Sequence, residues 1–185
     1  MRALQSMIFA LMAFAAISQF GSSTAHAASA AQIDADSRAT LDRFFARVVS
    51  GRELANKAQA ILIFPSIVKA GIGIGGEYGE GVLHVRGQNS GYYNIIGASV
   101  GFQFGVQTRS IVIMFMTPSA LAGFRARSGW EVGVDGSVTL INVGASGRVN
   151  TNNILDPIIG FVFNEKGLMY NLTLEGTKIS RFNPR

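Results

Sequence analysis

Cysteine is missing from this chain altogether, and its absence excludes disulfides, thiol nucleophiles, thiolate metal ligands and a lipid anchor attached through sulfur. Histidine is almost as scarce: of the two present, His26 lies near the start, which leaves His84 alone in the body of the chain. One imidazole cannot build a His-rich zinc site. A Ser-His-Asp triad would have to combine it with Ser66 or Ser137 and Asp135, a choice that no spacing favours. Charged residues make up only 15%, with a net charge of +5. That is a mild bias toward anionic partners, without the clustered Lys/Arg stripe of a nucleic-acid binder.

A long unbroken apolar run is lacking too. Leu4 to Phe20 is largely apolar, but Gln5, Ser6, Ser18 and Gln19 leave it short of the ~20 residues a membrane span needs. With Met1-Arg2 before it and Ala25-His26-Ala27 after it, the segment has the order of an export signal. Residues 1–27 are therefore expected to be a cleaved signal peptide. Residues 28–185 are expected to form one domain, periplasmic or secreted after cleavage and long enough for a genuine core.

Glycine, by contrast, is abundant, 22 in all. Ile61 to Pro65 reads as a strand stopped by proline, which lacks the amide a central rung needs. Gly71, Gly73 and Gly75 then alternate with Ile72 and Ile74, so one face of the next strand is nearly bare. Gly76, Gly79 and Gly81 extend the series, and all six are read as structural glycines that let another group come close. The run Gly71 to Gly76 matches G-x-G-x-x-G, but no helix opens after it, so a dinucleotide site is not expected. Glu77 and Glu80, read as one turn, are a weak candidate for a carboxylate pair.

Elsewhere the pattern is mostly β with short helices. A helix capped by Asp36 or Ser37 is expected to run to about Ser50, placing Leu41, Phe44, Phe45, Val48 and Val49 on one arc and Arg43 and Arg47 on another side. A second short helix reaches about Lys57. Gly87 to Gly91 is a turn cluster, Tyr92 to Gly105 one or two strands, and Ile111 to Met116 a doubly covered central strand. Thr117-Pro118 opens a helix that ends before Ser128-Gly129. Strands are expected over 132–140, bent near Gly136, and over 141–143, with a polar loop at 150–153. Ile158 to Phe163 and Leu168 to Leu174 read as a hairpin, followed by a short strand at Lys178-Ile179. Seven or more strands with short helices predict a mainly β, α+β domain: a curled antiparallel sheet forming a barrel or sandwich, helices packed outside.

Several of these stretches together resemble the SYLF domain, the Ysc84-like lipid-binding family, in its exported bacterial form. They are Ala60 to Pro65, Lys69-Ala70-Gly71, Gly75 to Leu83, Gly101 to Gly105 with Gln107, Gly133 with Asp135, Lys166-Gly167 and Leu174-Glu175-Gly176. Departures from the pattern are Ser110 where Asp is usual, Ile141-Asn142 for Gly-Pro, Val162 for Tyr and Asn171 for Gly. The resemblance offers no settled catalytic residues to carry over, and the poverty of metal ligands predicts neither metal nor cofactor. The resemblance implies non-enzymatic binding of anionic lipid or a phospholipid membrane surface at the bacterial envelope, with no nucleic-acid partner. Arg43, Arg47, Lys69 and Arg86 are the residues expected to meet headgroups, with Arg109 also able to face a phosphate. The alternative is a structural or protein-interaction module that docks an envelope protein on its sheet edge.

Overall fold

Two long strands carry the architecture. In the computed structural model, which describes residues 28–144, 156–166 and 174–185, β1 (Ala60–Val85) and β2 (Gln88–Phe115) pair antiparallel from Ala60–Phe115 to Val85–Gln88. The turn between them is Arg86-Gly87, both at positive φ (51° and 79°), as a two-residue hairpin turn with the right twist demands. A straight strand of 26 residues would be roughly 85 Å long at about 3.3 Å per residue. That is several times the ~15 Å radius of gyration of a domain this size, so the hairpin has to bend over itself.

It does so on glycine. A β-carbon on Gly79 would stand 2.7 Å from the Ile67 side chain and 2.9 Å from the Ser66 carbonyl oxygen. One on Gly81 would run into the carbonyl oxygen of Ile63 and lie 2.7 Å from the Phe64 ring. The late part of β1 therefore crosses its own early part at backbone contact. At Gly79 and Gly81 the space a side chain would need is filled by the strand itself. Gly76 is exposed and has its nearest neighbour at 3.6 Å, so packing does not demand glycine there. Gly71 and Gly75 are half-buried, and the packing of Gly73 lies outside the described residues.

The remaining strands attach to β2. β5 (Ile158–Lys166) pairs with 108–115 and β6 (Lys178–Phe182) with 92–96; β3 (Gly129–Glu131) extends from β6, and β4 (Thr139–Asn142) lies parallel to β5. The result is the expected α+β domain with a sheet curled nearly to a barrel. It differs in having six strands among the described residues and one parallel pair, because 61–65 and the glycine run form one strand, as do 92–105 and 111–116. Pro65 does not end β1. It sits where the register shifts between Phe64 and Ile67, and a bulge has no rung for its missing N–H to break. The first part of the strand expected over 132–140 is instead a tight turn closed by a Val132–Gly136 bridge, and Thr139 and Leu140 at its end open β4. The 150–153 loop and most of the 168–174 strand lie outside the described residues.

Among the described residues three helices flank the sheet: α1 (Ala30–Arg47), α2 (Gly51–Lys57) and α3 (Pro118–Arg125). α1 starts earlier than Asp36, because the Ser29 hydroxyl accepts from the Gln32 amide at 3.2 Å; Ser37 lies inside the helix and is fully buried. α3 begins as expected, with Thr117 Oγ1 accepting from the Ala120 amide at 3.2 Å and proline in the first turn. Within the curl, Leu62, Phe64, Ile111, Ile113 and Phe115 face Leu83, Tyr93 and Ile95, and Phe124 of α3 joins them 4.8 Å from the Phe115 ring. On the outer side, Phe44 and Val48 pack on Ile63, Val112, Met114 and Phe161. Residues 111–115 thus alternate between two cores, which makes that strand doubly covered as expected.

Candidate anion site

Two irregularities in the sheet fall side by side. β1 shifts register between Phe64 and Ile67, and β2 shifts against β5 between Thr108 and Ser110. Paired backbones cannot stay flush at such points, and bulges commonly open beside functional sites. Here they leave a pocket of ≈ 350 Å³ lined by Pro65, Ser66, Thr108, Arg109 and Ser110, with Arg43 of α1 and Lys166 of β5 at its walls.

The lining is cationic and hydroxyl-rich. Arg43 is exposed and donates from Nη2 to Thr40 Oγ1 at 2.7 Å, which braces it on the helix surface. Lys166 is exposed opposite Thr108. Ser110 Oγ donates to the Pro65 carbonyl at 2.7 Å; an ionised Asp, the residue usual here by resemblance, only accepts hydrogen bonds and could not do this. Among the described residues no carboxylate lines the pocket. Hydroxyls and two forked or flexible cations around a concavity suit a phosphate-like or carboxylate anion.

Arg109 is 2% exposed yet reaches both this pocket and the interior of the curl. Its Nη2 donates to Glu77 Oε2 at 2.7 Å, while its Nε has no partner among the described residues. Glu77 belongs to the crossing half of the hairpin, so the ion pair ties the two halves together. Lys69 (4% exposed) and Gln107 (2%) face inward beside it as register partners. Burial pushes the Glu77 carboxyl above its ordinary range, and the nearby charges of Arg109 and Lys69 pull it back.

The sequence-predicted residues therefore separate. Arg43 lines the pocket. Arg47 is exposed one turn further along α1 and does not. Lys69 is not a surface cation: alternation in β1 turns it inward, where Glu77 offsets its charge. Arg86 occupies the hairpin turn, away from the pocket lining. The apolar arc of α1 is consumed by the sheet, with Phe44 0% and Val48 1% exposed, while Val49, beyond the helix end, is 96% exposed. Sequence reading missed Lys166 because it stood in an apparent turn; only its pairing with Thr108 brings it here.

The weaker chemical candidates dissolve. Glu77 and Glu80 lie within β1, not in a turn, and Glu80 accepts from Tyr78 Oη at 2.6 Å and from the Ala28 amide at 3.0 Å. Asp135 is held by the Glu131 amide at 2.8 Å and by Arg127 at 2.9 Å. His84 has its proton affinity lowered by burial, with Asp34 acting against this and Arg38 with it. Among the described residues no three His, Asp or Glu side chains converge as a metal site, and no helix is long and apolar enough to cross a membrane.

No curated protein matches the chain. Residues 96–183, from within β2 through Thr108, Arg109, Ser110 and Lys166 to the end of β6, match the Ysc84 family model, described as Las17-binding protein actin regulator, and over that stretch this is the family the chain is similar to.

Proposed function

We propose that this protein is a non-enzymatic binder of anionic lipid, with the pocket between Arg43 and Lys166 receiving the charged headgroup at a membrane surface. The single observation behind this reading is a cation-walled concavity with no carboxylate among its described lining residues. Export through the signal at residues 1–27 would place it at the cell envelope. Each basic group near an anionic surface contributes about 1 kcal/mol, within a Debye length of about 8–10 Å.

Charge reversal at Arg43 and Lys166 together should lower the salt-sensitive part of binding to phosphatidylserine vesicles more than tenfold. Arg47→Glu, outside the pocket, should cost clearly less. Cosedimentation at low and high salt measures both. Binding equal on neutral and anionic vesicles, or absent from both at low salt, would sink the reading. The second result would favour a protein-docking module, the alternative that the description of the matching family model supports.

A further inference from the structure

The amphipathic helix α1 has spent its apolar side on the sheet. Ile33, Phe44 and Val48 are 3%, 0% and 1% exposed, so α1 has no stripe left to insert. Apolar insertion, if the pocket sits on a membrane, has to come from elsewhere.

Beside the pocket the sheet itself supplies a surface. Val68 pairs with Thr108, and Thr108 pairs on its other side with Lys166, so the three form one rung across β1, β2 and β5. On the same face of β2, two residues before Thr108, stands Val106, paired with Ala70. Val68 is 42% exposed and Val106 62%, and Ala70 is exposed as well. Directly opposed residues share a face, so apolar side chains continue the surface on which the cations and hydroxyls of the pocket open.

We infer that the outer face of the β1–β2 hairpin at Val68, Ala70 and Val106 is the bilayer-inserting surface, seated in the interface while Arg43 and Lys166 hold headgroups beside it. This rests on the lipid-binding reading above and adds which surface enters. The argument for a bilayer rather than another protein is charge complementarity and continuity: a small apolar patch bordered by cations, on a chain of net charge +5, has the composition of an interfacial anchor for an anionic membrane. Tyr78 and Ile96 form another exposed apolar pair, 46% and 51%, but they lie on the crossing half of the hairpin, away from the pocket lining.

The absence of cysteine makes the test direct. Val68→Cys, Val106→Cys, Ile96→Cys and Val134→Cys in the intact chain each carry one environment-sensitive dye, and are mixed with phosphatidylcholine–phosphatidylserine vesicles. Positions 68 and 106 should shift to the blue and be quenched by a lipid-borne quencher; position 134, in the β3–β4 turn, should not. Val106→Asp should weaken vesicle binding roughly tenfold or more, as loss of a buried apolar side chain implies. Vesicle binding with no spectral change at 68 and 106, or with the change at 96 instead, overturns the inference while leaving the lipid reading intact. A concentration-dependent shift without vesicles would assign the patch to a second copy of the chain and also overturn it. Absence of vesicle binding by the unmutated chain defeats the lipid reading itself.

Discussion

Glu77 and Arg109 meet at 2.7 Å from opposite halves of one bent hairpin, 32 residues apart, with side chains only 5% and 2% exposed. The cluster around them is not neutral, because Lys69 is buried there too. Removing the acid leaves two buried cations facing each other. Removing Arg109 leaves Lys69 to offset Glu77.

An asymmetry follows. Glu77→Ala should cost about 3–5 kcal/mol, the usual penalty for an uncompensated buried charge, and Arg109→Met should cost less. Urea denaturation of the two variants gives the comparison. Equal costs, or the reverse order, would mean that Lys69 does not share in the pair.

The crossing of β1 over itself makes a second contrast. Gly81→Ala forces the Ile63 backbone to move and should cost at least the ~1–3 kcal/mol of an overpacked core. Gly76→Ala, with its nearest neighbour at 3.6 Å, should change stability by less than about 0.5 kcal/mol, as exposed sites do. Midpoints of chemical denaturation decide between packing and mere flexibility at these glycines.

His84 gives a pH signature. Its folded-state proton affinity is lowered from the ordinary value of 6.5, chiefly by burial. Just below that pH the unfolded chain takes up a proton that the folded chain refuses, so stability falls as pH drops through this window. Glu77 acts in the opposite sense above 4.5, since its raised affinity lets the folded chain hold the proton longer. Subtracting the stability curve of His84→Gln from that of the parent should isolate a loss on acidification beginning near 6.5. A flat difference would show that burial does not control the imidazole.

Processing would change one contact in kind. The Ala28 amide donates to Glu80 Oε2 at 3.0 Å. Cleavage after Ala27, as the Ala-x-Ala order predicts, would turn that amide into an α-ammonium facing a carboxylate, a charge-assisted bond stronger than a neutral one. Intact mass of the protein recovered from its producing cell should begin at Ala28, and Glu80→Gln should then destabilise the cleaved form more than the uncleaved one. A chain starting elsewhere removes the pair.

Much of the frame was legible because it rests on local rules. Residues 111–115 announced burial on both sides, Thr117-Pro118 announced α3, and the short helix expected to reach about Lys57 is α2. Arg43 is exposed and lines the pocket, and its place on the polar side of the first helix was readable from the helical period. What stayed hidden depends on contacts between distant strands. Proline stops a flush rung but not a bulge, and nothing near Pro65 revealed the bulge. Alternation placed Lys69 on one side of β1, yet that this side was the interior required Glu77 to arrive from the far half. Ser29 was concealed as a helix cap by the run of small residues around the expected cleavage site.

One consequence of the hairpin concerns how the chain finds its shape. Every β1–β2 rung can be added next to one already made, starting at Val85–Gln88 beside the Arg86-Gly87 turn and ending at Ala60–Phe115. Loop closure is then cheap at each step. The bend is different, since Gly81 must come against Ile63 and the charged cluster must shed water before its members can pair. Zipping is expected early and crossing late, so substitutions at Gly87 should mainly slow folding and those at Glu77 mainly hasten unfolding, as stopped-flow chevrons would read. A slower folding limb for Glu77 variants would place the crossing in the nucleus. The hairpin that is quickest to begin would, on this account, be the last part of the molecule to finish.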